Sequence, residues 1–217
     1  MNKTTQAAIF DLDGTLLDST GLWHQIDYDF MAKRGLSLPE DYQKAVAVMH
    51  LQEAADYTVQ RFSLKEQPAD VVAEWLAMAA EAYANRIPLK PGAKAYLAYL
   101  RESGVRLAVA TALARELAVP ALKRHGIYDW FDTLVYAADV GQGKSSPAVF
   151  WRAAEELEVA PAFCTVFEDT LAGVRSAKAA GMRAVAVADS GAAADEEKIR
   201  AIADIYLEEF GQGSLDF

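Results

Sequence analysis

The chain has 217 residues, 53% of them hydrophobic, and its 21 basic and 31 acidic residues give a formal net charge of −10. This charge argues against nucleic acid and an anionic membrane as partners, and no apolar run approaches the roughly 20 residues of a membrane span. We expect no secretory signal in the polar residues Met1 to Gln6, and the lone Cys164 excludes an intramolecular disulfide. A cytoplasmic protein is therefore expected.

Short apolar runs predict buried β-strands. The first run, Ala7 to Phe10, ends at Asp11. The later runs are Leu107 to Ala110, Leu134 to Tyr136, Thr165 to Phe167 and Ala184 to Val187. Amphipathic helical patterns separate the later runs. This alternation predicts an α/β fold with a doubly wound parallel sheet, in which ligands bind beyond the carboxyl ends of the strands.

The stretch from Ser19 to Ile87 breaks this alternation. Its apolar residues recur at helical spacing, as in Trp23, Ile26 and Phe30, and no strand pattern is present. We interpret it as a helical unit inserted after the first strand. The sequence thus predicts a core domain of residues 1–18 and 88–217 and an inserted helical domain of residues 19–87.

The strongest motif is the string Asp11-Leu12-Asp13-Gly14-Thr15-Leu16-Leu17-Asp18-Ser19, directly after the first strand. Two carboxylates at a strand end can hold a hard cation such as Mg²⁺, and Gly14 allows a sharp turn. The alternative is a plain turn, because Asp and Gly are common turn residues. The whole string after a buried strand favours a chemical role.

The string resembles the opening motif of the haloacid dehalogenase (HAD) superfamily, most closely the branch of β-phosphoglucomutase and small sugar-phosphate phosphatases. The resemblance implies a Rossmann-like core with an inserted helical cap. It also implies that Asp11 attacks phosphorus to form an aspartyl-phosphate and that Asp13 is the general acid and base. Mg²⁺ would be bound by Asp11 and by the main-chain carbonyl of Asp13, and Gly14 would belong to the phosphate-binding loop.

Two further matches concern phosphate binding. Thr111 ends the second predicted strand, where the family has a Ser or Thr that bonds the transferring phosphoryl group. Lys144 corresponds to the family lysine that neutralises phosphate and the nucleophile, although Ser145 replaces a family proline. The alternatives are a structural threonine and a solvated lysine before a helix that begins with Ser146 and Pro147.

The last match is Glu168-Asp169-Thr170, which follows an apolar strand and opens a helix. The family pattern here is Glu-Asp-Ser/Thr-x-x-Gly. The resemblance implies that Asp169 is a direct or water-mediated Mg²⁺ ligand and that Glu168 supports the site. The alternative is that Asp169 only caps the helix.

The resemblance also makes residues 19–87 a cap that closes over the site and supplies specificity. Trp23, His24 and His50 are candidate specificity residues, with packing or solvent exposure as the alternative. Trp23 stands where the β-phosphoglucomutases carry a His. No match to their cap Arg for the distal phosphate is found around Val48 to Leu51.

We therefore predict a Mg²⁺-dependent phosphatase that acts on a small phosphorylated metabolite, with a sugar phosphate as the expected type. A phosphosugar mutase with the same nucleophile is one alternative. A phosphate-binding regulatory protein without turnover is another, and the presence of Asp11, Asp13, Lys144 and Asp169 counts against it.

Overall fold

The computed structural model describes residues 5–46, 49, 51–141 and 146–211. Their chain forms two compact units. One, the core unit, comprises the described residues of Met1–Thr20 and Ile87–Phe217, and the other, the helical unit, comprises those of Gly21–Arg86. None of the helices in these ranges has both the length and the apolar character needed to cross a membrane.

The core unit is built on a sheet of six parallel strands in the order β3-β2-β1-β4-β5-β6. The strands are β1 (Ala7–Phe10), β2 (Arg106–Thr111), β3 (Thr133–Tyr136), β4 (Cys164–Glu168), β5 (Arg183–Val187) and β6 (Ile205–Leu207). The chain proceeds from β1 through β2 to β3 and then crosses back to place β4 on the other side of β1. The carboxyl ends of β1 and β4 therefore flank the switch point where such sheets bind ligands. The predicted fold class is confirmed.

Helices account for most of the remaining chain. The helical unit holds α1 (Leu22–Lys33), α2 (Tyr42–Val46), α3 (Leu51–Phe62) and α4 (Pro68–Asn85). The core unit holds α5 (Ala93–Glu102), α6 (Arg115–Arg124), α7 (Ala137–Val140), α8 (Ala148–Glu156), α9 (Leu171–Ala179) and α10 (Glu196–Ile202).

Both faces of the sheet are covered. On one face, Ile9 belongs to a buried cluster with Phe150 of α8 and Val174 of α9. On the other face, Phe10 stacks on Phe167 with ring centroids 4.4 Å apart, and Tyr96 of α5 meets Phe167 edge-on at 5.6 Å. Burial on both faces explains why the strands are continuous apolar runs without alternation.

The helical unit has its own apolar core. Phe30 of α1 meets Trp75 of α4 edge to face, with centroids 5.5 Å apart. Tyr42 of α2 is buried, and its hydroxyl lies 2.7 Å from the Thr58 hydroxyl of α3. Arg34, which follows α1, forms ion pairs that include Glu74 of α4. These contacts join α1 and the residue after it to α4, and α2 to α3, so the helices stabilise one another.

Three short elements were not predicted: α2, α7 and β6. They have five, four and three residues, respectively. Segments this short contain too few apolar residues to show the repeat that distinguishes a helix or a strand in a sequence. The strand β6 exists because it pairs with β5, with Val185 opposite Ile205. Its formation depends on a neighbour about twenty residues away rather than on local sequence.

Candidate active site

The loop after β1 folds back on itself as a tight turn. The Leu17 N–H donates to the Leu12 carbonyl at 2.7 Å, and the Gly14 N–H donates to the Leu17 carbonyl at 3.0 Å. Gly14 has a φ of 74°, which glycine adopts without strain. The turn leaves Asp11 buried, with 1% exposure, and Asp13 partly exposed.

Pairing of β1 with β4 brings distant carboxylates together. Phe10 lies opposite Phe167, so the residues that follow, Asp11 and Glu168, lie at the same edge of the sheet. Asp169 completes the group: one carboxylate oxygen from each of these three buried residues lies within 4.8 Å of the others. We call these three residues the carboxylate cluster.

The carboxylate cluster suits a hard divalent cation. Three buried carboxylates at this separation repel one another, so positive charge or shared protons must compensate them. Within the described part of the chain the cluster contains oxygen ligands only, with no cysteine or histidine. Oxygen ligands suit Mg²⁺ better than zinc. The residues present therefore fit the predicted ion.

The surroundings of Asp169 favour a ligand role over a capping role. The Thr15 hydroxyl donates to Asp169 Oδ1 at 2.9 Å, and a Cβ on Gly14 would overlap the same carboxylate. The N-cap of α9 is Thr170, whose hydroxyl accepts from the Gly173 N–H at 3.1 Å. Thr170 rather than Asp169 therefore occupies the N-cap position of α9.

Glu168 is held in a fixed orientation. Its Oε2 accepts hydrogen bonds from the Thr170 N–H at 2.7 Å and from the Thr170 hydroxyl at 2.9 Å. A Cβ on Gly173 would overlap the Glu168 carboxyl group, so only glycine fits at that point of α9. Because one oxygen is occupied in this way, the side chain is restrained next to Asp169.

Two further candidates of the core unit, Asp13 and Thr111, follow or end a strand at the same edge of the sheet, whereas Trp23 and His24 lie on α1 of the helical unit. Asp13 Oδ1 accepts from the Ser19 hydroxyl at 2.8 Å. Thr111 ends β2 and is buried, with its hydroxyl oxygen accepting from the Leu113 N–H at 3.1 Å. The hydroxyl is an acceptor in that bond, so it keeps its proton for donation to an anion.

Two predicted residues, Lys144 and His50, lie outside the described residues, and their roles stay predictions. The described sequence after Lys144 begins at Ser146, whose hydroxyl accepts from the Ala148 N–H at 3.3 Å. The helix α8 begins at Ala148 with Pro147 at its N-cap and no side-chain cap, one residue later than the predicted start with Ser146 as the cap and Pro147 as the first helical residue.

Sequence reasoning missed a buried ion pair at the same edge of the core unit. Lys90 Nζ lies 2.6 Å from Asp189 Oδ2, with side-chain exposures of 14% and 2%, and Thr20 donates to Asp189 Oδ1 at 2.6 Å. Burial opposes ionisation, but the bonds from Lys90, Thr20 and the Gly191 N–H outweigh it and lower the pKa of Asp189. The only sequence signal is that Asp189, like Asp11, follows a strand.

The family model described as haloacid dehalogenase-like hydrolase matches residues 5–181. The chain belongs to this family. As a HAD-type hydrolase with phosphatases among its relatives, it is an enzyme.

Relatives of this HAD-like hydrolase include named phosphatases. Hexitol phosphatase B of Escherichia coli is 30% identical over 184 residues, which are 83% of this chain and 82% of that protein. The phosphorylated carbohydrates phosphatase of Thermotoga maritima is 25% identical over 180 residues, 83% of each chain. A solved Thermotoga maritima structure, described as a candidate β-phosphoglucomutase, shares the fold, with a TM-score of 0.82, 24% identity and 94% of each chain covered.

Proposed function

We propose that the chain is a Mg²⁺-dependent phosphatase that hydrolyses a small phosphomonoester, with sugar phosphates as the preferred class. The observation that carries the proposal is the carboxylate cluster of Asp11, Glu168 and Asp169 at the carboxyl edge of the sheet. The relatives named as phosphatases of hexitols and of phosphorylated carbohydrates support the substrate class.

The reaction proceeds in two steps. An Asp11 carboxylate oxygen attacks phosphorus while the bond from phosphorus to the ester oxygen breaks, and Asp13 gives its proton to the leaving alcohol. The product is an aspartyl-phosphate. Asp13 then takes a proton from water, whose oxygen attacks phosphorus, and the bond from phosphorus to Asp11 breaks to release inorganic phosphate. The hydrogen bond from Ser19 orients Asp13 for both transfers.

The proposed roles of the other residues follow from their positions. Asp11, Asp169 and the main-chain carbonyl of Asp13 would hold Mg²⁺, with Glu168 as support. When bound, Mg²⁺ neutralises negative charge on the phosphoryl group. The Thr111 hydroxyl, the backbone at Gly14 and the Lys144 ammonium would bind the phosphoryl oxygens.

We also propose that the helical unit is the cap expected for residues 19–87, and that residues 1–18 and 88–217 form the catalytic domain. The division of the chain into two compact units supports this assignment. A cytoplasmic location belongs to the same proposal.

Hydrolysis is preferred over mutase chemistry because of two arginines in the helical unit. A mutase must bind a second phosphate, for which arginine is the common ligand. Arg61 instead bonds the Asp41 carboxylate at 2.7 Å and the Tyr57 hydroxyl at 2.5 Å. Arg86 pairs with Glu81 at 2.8 Å. Both guanidinium groups are thus engaged within the helical unit.

Phosphate release from a panel of phosphorylated metabolites tests the function. We expect Mg²⁺-dependent release by the wild type and by Asp18→Asn, a control at an exposed carboxylate of the same loop. Asp11→Asn should be folded by circular dichroism but inactive, and EDTA should abolish wild-type activity without rescue by Zn²⁺ alone. Turnover by folded Asp11→Asn, or full activity in metal-free buffer, would contradict the mechanism.

The same assay separates the alternatives. Supplied with β-glucose 1-phosphate and glucose 1,6-bisphosphate, the enzyme should release inorganic phosphate and form little glucose 6-phosphate. Rapid formation of the isomer with little free phosphate would establish a mutase instead. Binding of phosphate esters without any turnover would establish the regulatory protein.

A further inference from the structure

Two segments of the core unit carry the chain into and out of the helical unit. The chain leaves the core unit after Thr20 and later returns to it. Within the core unit the leaving and returning segments lie side by side. The Asp18 N–H donates to the Pro88 carbonyl at 3.0 Å, and the Lys90 N–H donates to the Leu16 carbonyl at 2.9 Å. The two segments are therefore tied to each other by their backbones.

A third segment, which follows β5, bonds both of them through one side chain. Lys90 Nζ, on the returning segment, donates to Asp189 Oδ2 at 2.6 Å. The Thr20 hydroxyl, on the leaving segment, donates to Asp189 Oδ1 at 2.6 Å, and the Gly191 N–H donates to the same oxygen at 2.8 Å. We call Thr20, Lys90 and Asp189 the junction cluster. One carboxylate thus joins the two segments.

The junction cluster is nearly closed to water, with 2% of the Asp189 side chain and 14% of the Lys90 side chain exposed. Lys90 Nζ also donates to the Ala188 carbonyl at 2.9 Å. A buried ion pair adds little net stability relative to apolar side chains, because desolvation offsets the attraction. Its directional hydrogen bonds instead fix the positions of the groups that they join.

The residue next to the junction cluster contacts the proposed general acid and base. Ser19 precedes Thr20, and its hydroxyl donates to Asp13 Oδ1 at 2.8 Å. Ser19 is therefore held on one side by the backbone bond of Asp18 and on the other by the hydroxyl bond of Thr20. Because a serine side chain is short, its hydroxyl reaches Asp13 only when the main chain of this segment is in place.

We propose that Asp189 is a positioning residue for the reaction. Through Thr20 and Lys90 it holds the segment that carries Ser19, and Ser19 in turn orients Asp13 for proton transfer. The proposal rests on the phosphatase function proposed above and adds a residue outside the carboxylate cluster. Both oxygens of Asp189 are engaged within the core unit, so it acts through its neighbours rather than on the substrate.

Kinetics with two leaving groups test the proposal. Thr20→Val removes the hydroxyl at almost constant volume and leaves the Lys90–Asp189 pair in place. It should lower kcat/KM about tenfold for glycerol 2-phosphate, whose leaving alkoxide needs the proton of Asp13. For p-nitrophenyl phosphate, whose leaving group departs without that proton, the loss should stay below about twofold. Thr20→Ser keeps a hydroxyl and should behave as the wild type.

The matched control is Thr133→Val, which removes another threonine hydroxyl that donates to a carboxylate of the core unit, that of Glu156. Its kinetics should be those of the wild type on both substrates. An equal loss on both substrates in Thr20→Val would indicate a general structural defect and would overturn the proposal. A loss on glycerol 2-phosphate that Thr20→Ser does not restore would also overturn it.

A double-mutant cycle shows whether Thr20 acts through Ser19. On a Ser19→Ala background, Thr20→Val should cause no further loss of kcat/KM for glycerol 2-phosphate, because the group that it positions is already absent. A further tenfold loss on that background would show that Thr20 affects the reaction by another route and would contradict the proposal.

Hydrogen exchange separates this proposal from the phosphatase function, because it needs no turnover. In Thr20→Val the amide of Asp18 should exchange at least about fivefold faster than in the wild type. The amide of Asp11, which bonds the Phe167 carbonyl at 3.0 Å, should be unchanged. Faster exchange at Asp18 in a protein whose wild type releases no phosphate contradicts only the phosphatase function. Turnover with unchanged exchange and unchanged kcat/KM in Thr20→Val contradicts only the positioning role.

Discussion

Replacing Asp27 by asparagine should stabilise the protein at neutral pH, although the change removes a charge. Burial raises the pKa of this carboxyl from 3.8 to about 6. At about 1.4 kcal/mol per pKa unit, ionisation of Asp27 at pH 7.5 costs the folded state about 3 kcal/mol. The side chain is only partly buried, so screening by solvent reduces the expected gain to about 1 to 2 kcal/mol.

The stability difference between the wild type and Asp27→Asn should depend on pH, in a direction set by the raised pKa of Asp27. Between pH 3.8 and about 6 the folded protein keeps a proton on Asp27 that the unfolded chain has lost. The free energy of unfolding of the wild type relative to Asp27→Asn therefore falls as the pH rises through this window. Below the window Asp27 is protonated in both states, and the two proteins should be equally stable. The same comparison on a His24→Gln background removes any contribution of the neighbouring imidazole.

Urea denaturation followed by circular dichroism at pH 3.5, 5 and 7.5 measures the effect. Asp29→Asn is the control, because it changes another carboxylate of the same helix, which accepts a hydrogen bond from Gln25 at 2.8 Å. If Asp27→Asn is no more stable than the wild type at pH 7.5, or keeps its advantage at pH 3.5, the burial argument fails.

Two other predictions concern the core unit. Thr15→Val removes the hydrogen bond to Asp169, so the Mg²⁺ concentration for half-maximal activity should rise about ten- to hundredfold. Thr5→Val, which removes a buried hydroxyl bonded to Thr165, should leave the Mg²⁺ dependence unchanged, and an equal effect of both variants would contradict the assignment. Asp189→Asn leaves the Lys90 ammonium buried without its charged partner and should lower the free energy of unfolding by about 3 kcal/mol at pH 7. Because the pKa of Asp189 is lowered, this difference should shrink as the pH falls through that pKa, and a gap in urea denaturation that is constant with pH would refute the pairing.

Local sequence was sufficient for the parts of this protein that depend on neighbours in the chain. Apolar runs such as Ala7 to Phe10 predict buried strands because both faces of a parallel sheet are covered. The strand end followed by Asp11, Asp13 and Gly14 predicts an acidic turn, since a left-handed residue and two carboxylates are properties of that segment alone. The family followed from four such segments in order.

Tertiary structure decided what depends on residues far apart in the sequence. Asp11 and Asp169 share a cluster only because β1 pairs with β4, and Thr15 bonds Asp169 across 154 positions. The choice between cap and ligand for Asp169 was open in the sequence, because either role suits an acidic residue at a helix start. The structure places Thr170 at the N-cap of the helix, and the ligand role of Asp169 stays a prediction. The Lys90–Asp189 pair and the burial of Asp27 have no local signature, because only packing determines which polar groups lose contact with water.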